Sequence, residues 1–148
     1  MIKNFIFLAL GIIITVLYVI FSTEIYEAMN LDPAFMDEMY NAHLYSTIAS
    51  TIAITVWIVA AVYYYLINSV RFSRWYHWLI MLLLAILVAP SISIYFPFSE
   101  FSEEGKDYLM QLIQFNLINI GITILLFIIV SFSVRWWSTN CRHTPIPE

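Results

Sequence analysis

Cysteine, glycine and charge are all scarce in this sequence. Its 148 residues include a single cysteine, Cys141, so no disulfide can form within the chain. This excludes a disulfide-stabilised secreted scaffold and a membrane thiol oxidoreductase that works through cysteine pairs. Three glycines and five prolines are too few for a low-complexity linker. Charged residues make up 11% of the chain, against roughly 25% of a soluble domain, which excludes a cytosolic enzyme and a nucleic-acid binder.

Hydrophobic residues are abundant and make up 62% of the chain. The charged residues delimit four uncharged segments, which are 4–23, 39–70, 75–99 and 108–134. Because a helix needs about 20 mostly apolar residues to cross a bilayer, each segment predicts one span. We therefore expect one all-α integral membrane domain over residues 1–148, folded as a four-transmembrane-helix bundle. The predicted spans are 5–23, 45–69, 75–96 and 109–134, with outer loops at 24–44 and 97–108 and a tail at 135–148.

Charges of opposite sign separate onto the two sides that four spans would create. Nine of the ten acidic residues fall in the two predicted outer loops. Five of the six basic residues fall on the side of the termini, and they are Lys3, Arg71, Arg74, Arg135 and Arg142. Since short loops rich in Lys and Arg remain in the cytoplasm, the sequence predicts that both termini are cytoplasmic. We expect the chain to lie in the cytoplasmic (inner) membrane of a bacterium.

Tryptophans mark the predicted cytoplasmic boundary. The residues concerned are Trp75, Trp78, Trp136 and Trp137. Because amphipathic rings favour the headgroup layer, we expect these four side chains to be interfacial anchors. His77 lies between two of them and close to Arg74, a position from which it could contact a lipid headgroup.

The second span has a helix start well before the bilayer. Asp32 is a capping residue, and Pro33 suits the first position of a helix. Apolar residues then recur at helical spacing, so we expect one helix over residues 33–69, about 55 Å long at 1.5 Å per residue. This exceeds the roughly 30 Å hydrocarbon core, so helix 2 is expected to extend outward beyond the bilayer. Its outer turns would lie on the membrane surface or present a face that docks a partner.

Two features of spans 2 and 3 concern helix packing. Small side chains form a stripe along span 2 and predict its packing face, because they let helices approach closely. This stripe consists of Ser46, Ala49, Ala53 and Ala60. In span 3, Pro90 removes the hydrogen bond to the carbonyl of Ile86 and predicts a kink. Pro97 is expected to end that span.

The fourth span is the most polar. Its candidate functional residues are Gln111, Asn116, Asn119 and Thr123. At 100° per residue, Asn116, Asn119 and Thr123 fall on one helical face, with Gln111 roughly a turn away. Amide side chains inside a bilayer rarely face lipid and bond across helices instead. The stripe therefore predicts either interhelical contacts or the polar lining of a pore.

Residues for membrane chemistry are missing from the sequence. No Asp, Glu, Lys or Arg lies at the centre of a predicted span, which argues against proton pumps and coupled transporters. The three histidines lie too far apart along the predicted spans to form a metal or haem site. No phosphate-binding, nucleophile or zinc-binding motif occurs. The sequence thus predicts no enzymatic activity, no metal and no cofactor.

These observations favour two functions. The first is a non-enzymatic membrane subunit that oligomerises or anchors a membrane-associated assembly of the secretion, defence or immunity type. The second is a homo-oligomeric channel with an acidic outer mouth and an Asn/Thr lining from span 4. The expected partners are the lipid bilayer and either further copies of the chain or another membrane or cytoplasmic protein, and no nucleic acid. An intramembrane enzyme or a lipid carrier is the least favoured class.

Overall fold

The computed structural model describes residues 2–29, 31–103 and 107–138, and within these ranges all regular structure is helical. The α-helices in these ranges are α1 (Ile2–Ile20), α2 (Ser22–Glu27), α3 (Pro33–Asn41), α4 (Leu44–Ala61), α5 (Trp75–Glu103) and α6 (Leu109–Val134). A π-helical segment, Val62–Ile67, continues α4, and short 3-10 helices occupy Val70–Phe72 and Arg135–Trp137. Residues 139–148 of the predicted tail and residues 104–106 of the second predicted loop lie outside the described residues.

Three helices in the described part of the chain are long and apolar enough to cross a membrane. They are α4 with its π-helical end (Leu44–Ile67), α5 (Trp75–Glu103), and α6 with its 3-10 end (Leu109–Trp137). The first helix, α1, is apolar from Asn4 to Ile20 and is shorter. The prediction of an all-helical protein with membrane-crossing helices is confirmed to this extent.

The long helices α4, α5 and α6 pack on one another, and α1 packs against α6 and α4. Contacts along α1 show that it runs antiparallel to α6. The ring of Phe5 lies 5.6 Å from that of Trp137, and one face of α1 meets α6 again where Gly11 approaches Ser133. The absence of a side chain at Gly11 allows this close approach, because small residues let helix backbones come together.

The predicted continuous helix over residues 33–69 is wrong, because the chain breaks between α3 and α4. The start of α3 is as expected, since the Asp32 side chain accepts a hydrogen bond from the Phe35 amide at 3.1 Å. However, α3 ends at Asn41, and His43 adopts a left-handed backbone conformation with φ 53° before α4 begins. This turn lets Phe35 and Met39 of α3 become completely buried, which a straight projecting helix could not achieve.

The predicted end of span 3 at Pro97 is also wrong, because α5 continues through Pro90 and Pro97 to Glu103. The serines near Pro90 bond to carbonyls other than that of Ile86. Ser93 donates to the Ala89 carbonyl at 2.8 Å, and Ser91 donates to the Leu87 carbonyl. Continuing α5 beyond Pro97 buries Phe101, whose burial offsets the hydrogen bond that a proline cannot donate.

An aromatic cluster closes one end of the bundle. We call it the aromatic cap, and it consists of Tyr26, Phe35, Tyr45, Phe101, Tyr108 and Phe115. Ring centroids lie 4.8 Å apart for Tyr26 and Phe115, and 5.7 Å apart for Phe35 and Phe101. The predicted outer loops 24–44 and 97–108 thus contain helices whose apolar faces pack on the bundle. Because Phe35 and Met39 are buried there, that face of α3 is exposed neither to lipid nor to a partner.

Candidate functional site

The polar stripe of α6 lies mainly inside the chain. Asn119 and Thr123 have no exposed surface, whereas Gln111 and Asn116 are half-buried. The Thr123 hydroxyl donates to the backbone carbonyl of Asn119 at 2.7 Å. The Asn119 side-chain oxygen accepts a 2.8 Å hydrogen bond from the hydroxyl of Tyr26, which lies on α2. The stripe is therefore in contact with a helix from the beginning of the chain.

A chain of hydrogen bonds joins α1, α2 and α6. The hydroxyls of Tyr18 and Tyr26 lie 2.8 Å apart. A hydroxyl has one hydrogen, and Tyr26 donates its own to Asn119, so Tyr18 must donate to Tyr26. Burial raises the pKa of Tyr26, which keeps its hydroxyl protonated and able to donate.

The polar stripe predicted from the sequence of span 4 gave no indication that Tyr26 would contact it or that Tyr18 would contact Tyr26. Tyr18 and Tyr26 are eight residues apart and would be separated by about 12 Å along the axis of one uninterrupted helix. They meet because α1 ends at Ile20 and α2 begins at Ser22. No signal in the sequence marks this pair, since their encounter depends on that break and on the packing of α2.

Two polar atoms of the stripe remain without a hydrogen-bond partner among the described residues. They are the side-chain oxygen of Asn116 and the side-chain nitrogen of Asn119, and both are buried. One is an acceptor and the other a donor, and the two residues are three positions apart on one helical face. A buried polar group without a partner costs about 1–3 kcal/mol, so these two atoms mark an unsatisfied part of the described interior.

The small residues of α4 divide into buried and exposed members. Ala49, Ala53 and Ala60 are buried, whereas Ser46 is exposed, with its hydroxyl 3.4 Å from the His43 carbonyl. Near the same helix face, the indole nitrogen of Trp57 donates to the Thr15 hydroxyl of α1 at 3.1 Å. The contact between α1 and α4 thus includes a hydrogen bond that the stripe alone did not predict.

The four candidate anchor tryptophans have different surroundings. Trp75 is 60% exposed and Trp137 is 41% exposed, so both rings can reach a headgroup layer. Trp78 is only 8% exposed, and its indole nitrogen donates to the Ser131 hydroxyl of α6 at 3.2 Å. Trp136 is half-buried and stacks on Phe7 of α1 at 5.4 Å. The ring of Trp78 therefore packs inside the bundle, and the anchor role of the four tryptophans stays a prediction.

Arg135 is buried rather than exposed on the basic side, with 3% of its surface accessible. Its guanidinium lies 4.3 Å from the Trp136 ring and 5.1 Å from the Phe132 ring. Aromatic faces attract a cation through their quadrupole, and the attraction grows when water is excluded. Arg135 therefore contributes to packing at this end of α6, which a count of surface charges does not reveal.

Two adjoining clefts lie at the same end of the bundle, between the end of α4 and the start of α5. The larger, of 410 Å³, is lined by Val70, Arg71, Phe72, Arg74, Tyr76 and His77. The smaller, of 210 Å³, is lined by Tyr63, Ile67, Phe72, His77, Ile80 and Met81. Phe72 and His77 belong to both. The larger cleft is basic, and the smaller one is almost entirely apolar.

No protein-family model, curated protein or solved structure matches this chain. Within the described ranges, no group of three His, Cys, Asp or Glu side chains could hold a metal ion. The polar features of the described residues are buried hydrogen bonds, a cation packed on aromatic rings, and a basic cleft beside an apolar one.

Proposed function

We propose that this chain is a non-enzymatic membrane subunit that anchors or oligomerises within a larger membrane-associated assembly of the secretion, defence or immunity type. The observation that supports this proposal is that buried polar side chains form hydrogen bonds between helices. Tyr26 bonds to Asn119, and Trp78 bonds to Ser131, so both pairs connect helices of the same chain. Such pairs typically contribute about 0.6–2 kcal/mol to the association of membrane helices. They hold a bundle together and perform no reaction.

Four spans with both termini in the cytoplasm form part of the same proposal. The 19 residues of α1 extend about 28 Å at 1.5 Å per residue, close to the roughly 30 Å hydrocarbon core. Its antiparallel course along α6 supports a full crossing. Arg71 and Arg74 are exposed at the end where Trp75 and Trp137 lie, which favours that end as the cytoplasmic one.

Cysteine labelling tests this topology. We expect the native Cys141 to resist a membrane-impermeant maleimide in intact cells and to react after permeabilisation. In a Cys141→Ser background, Tyr40→Cys should react from outside, and Asn4→Cys should not. Equal labelling of Asn4→Cys and Tyr40→Cys from outside would place both on one side and rule out a crossing by α1.

The end of the bundle that carries the aromatic cap is the surface best suited to a partner. Its buried core gives the short helices a defined arrangement, and its acids are displayed around that core. The exposed acids in the described residues are Glu24, Glu27, Asp32, Asp37, Glu100, Glu103 and Asp107. The positive-inside rule does not require them, because Asp and Glu contribute little to orientation. A partner with a basic surface would be attracted to this end.

Photo-crosslinking in intact cells tests the anchoring role. A benzoyl-phenylalanine at Tyr40, which is exposed on α3, should yield one reproducible adduct with a distinct protein or with a second copy. The same probe at Leu87, exposed midway along α5, is the matched control and should react with lipid alone. Adducts of lipid alone at both positions would contradict an anchoring or oligomerising role for this surface.

The alternative is a homo-oligomeric channel lined by the polar stripe of α6. The atoms that favour it are the side-chain oxygen of Asn116 and the side-chain nitrogen of Asn119, which have no partner within the described part of the chain. The complete burial of Asn119 and Thr123 weighs against it, because a lining residue must reach the pore. We therefore favour the membrane subunit.

A further inference from the structure

We propose that the two adjoining clefts bind one anionic amphiphile, a molecule with a phosphate group and a hydrocarbon chain. The basic cleft would hold the phosphate and the apolar cleft the first part of the chain. This goes beyond the anchoring role, and it requires only that the long helices lie in a membrane. It is supported by the residues that line each cleft, by Phe72 and His77, which line both, and by the contacts within the loop between α4 and α5.

The basic cleft suits a phosphate. Arg71 and Arg74 both line it and are exposed, and the Arg74 guanidinium lies 3.5 Å from the hydroxyl of Tyr76 in the same lining, to which it donates. Arginine presents a planar set of donors that matches phosphate oxygens. His77 adds a buried ring nitrogen, Nδ1, that has no hydrogen-bond partner among the described residues. The three residues line one cavity of 410 Å³, within the usual size range of small-ligand sites, about 300–1,000 Å³.

The apolar cleft suits a hydrocarbon chain. Ile67, Ile80 and Met81 contribute aliphatic and thioether surface, and Ile80 is itself exposed on α5. The exposed surface of α5 continues from Ile80 along further apolar side chains, including Leu83 and Leu84. A chain that leaves this cleft would therefore remain against apolar surface. A soluble anion would leave the same apolar surface uncovered.

The loop between the helices is held in position before any ligand arrives. The Tyr63 hydroxyl donates to the Phe72 carbonyl at 3.0 Å, and the Ser73 hydroxyl donates to the Val70 carbonyl. The Phe72 ring also meets the His77 ring edge-on, with centroids 5.2 Å apart. These contacts fix the wall that the two clefts share. A site whose walls are already ordered loses less entropy on binding.

Lipid titration followed by native mass spectrometry of the full chain in detergent tests the proposal. The probes are phosphatidylglycerol, phosphatidylcholine and inorganic phosphate. We expect one phosphatidylglycerol to bind more tightly than either other probe. The double substitution Arg71→Gln/Arg74→Gln should weaken that binding roughly tenfold or more, since each basic residue near an anionic lipid contributes about fivefold to its affinity. Arg71→Lys/Arg74→Lys should retain part of the affinity, because the charge remains.

A matched control removes the same charge elsewhere on the predicted cytoplasmic side. Lys3→Gln/Arg142→Gln should bind phosphatidylglycerol as the unsubstituted chain does. Equal weakening in the two double variants would overturn the site and indicate diffuse charge attraction. If inorganic phosphate binds as tightly as phosphatidylglycerol, the ligand needs no hydrocarbon chain, and the site is one for a soluble anion. Equal binding of phosphatidylcholine would overturn the requirement for an anionic ligand. Should Arg71→Gln/Arg74→Gln fail to fold, the lysine variant and the three probes decide the outcome.

Discussion

Gly11→Ala is expected to destabilise the bundle by roughly 1–3 kcal/mol, the usual cost of overpacking a tight contact. A Cβ at this position would overlap the Ser133 hydroxyl and lie 2.6 Å from the Ser133 Cβ. Neither group can withdraw easily. The hydroxyl is bonded to the Ile129 carbonyl at 2.8 Å, and the Cβ is attached to the α6 backbone. The helices α1 and α6 must therefore separate, and equilibrium unfolding of the purified chain in detergent measures the cost.

Gly121→Ala is the matched control, because it makes the same chemical change in the middle of α6. A Cβ there would meet no atom of the described residues within 4 Å. We expect a neutral result or a gain of up to about 1 kcal/mol, since alanine favours a helix over glycine. Ser133→Gly should relieve the clash in a Gly11→Ala/Ser133→Gly double variant. Equal losses from Gly11→Ala and Gly121→Ala would contradict the contact between α1 and α6.

The membrane helices could be predicted from the sequence because their signal is local. The predicted span 109–134 coincides with α6, and the predicted start at 75 is the first residue of α5. Uncharged length and composition are sufficient for this purpose, since a bilayer demands about 20 apolar residues per helix whatever the partners. Helix ends are less well specified, because burial beyond the end decides them. Phe101 extends α5 past Pro97 in this way.

The aromatic cap could not be predicted, because its contacts join residues far apart in the sequence. Phe35 touches Phe101, near the end of α5, and Tyr108, the residue before α6. From sequence alone, the aromatic and methionine residues of α3 indicated a surface for lipid or for a partner. The burial of Phe35 and Met39 required a break at His43, and the left-handed conformation there has no unambiguous sequence signal.

In the candidate site, too, helical spacing predicts which residues share a face, but it does not predict their partners on other helices. Helical spacing was sufficient to place Asn119 and Thr123 on one face of α6. It could not supply Tyr26 as a partner, because that residue comes from α2. The same holds for the tryptophan end of the bundle, where Trp78 and Arg135 looked like boundary residues. Ser131 and Trp136 hold them inside through a hydrogen bond and a cation–π contact. Polar and cationic side chains near the end of a span therefore need their tertiary partners before a role can be assigned.

The second large effect is expected at the hydrogen bond between Tyr26 and Asn119. Tyr26→Phe leaves the Tyr18 donor and the Asn119 acceptor without their partner, in a site where all three side chains are buried. We expect a loss of about 1–3 kcal/mol, the cost of an unsatisfied buried group. Asn119→Leu leaves the Tyr26 hydroxyl without its acceptor and should cost a similar amount. Equilibrium unfolding of the full chain in detergent measures both losses.

A double-mutant cycle isolates this bond from the other consequences of each substitution. Tyr26→Phe/Asn119→Leu should lose less than the two single changes together, with a coupling of about 0.6–2 kcal/mol. Tyr40→Phe removes a hydroxyl of the same kind from an exposed position on α3 and should be neutral. Additive losses would show that the bond contributes nothing. A liposome ion flux that Asn119→Leu abolishes without a loss of stability would favour the channel instead, because Asn119 would then face conducted ions rather than Tyr26.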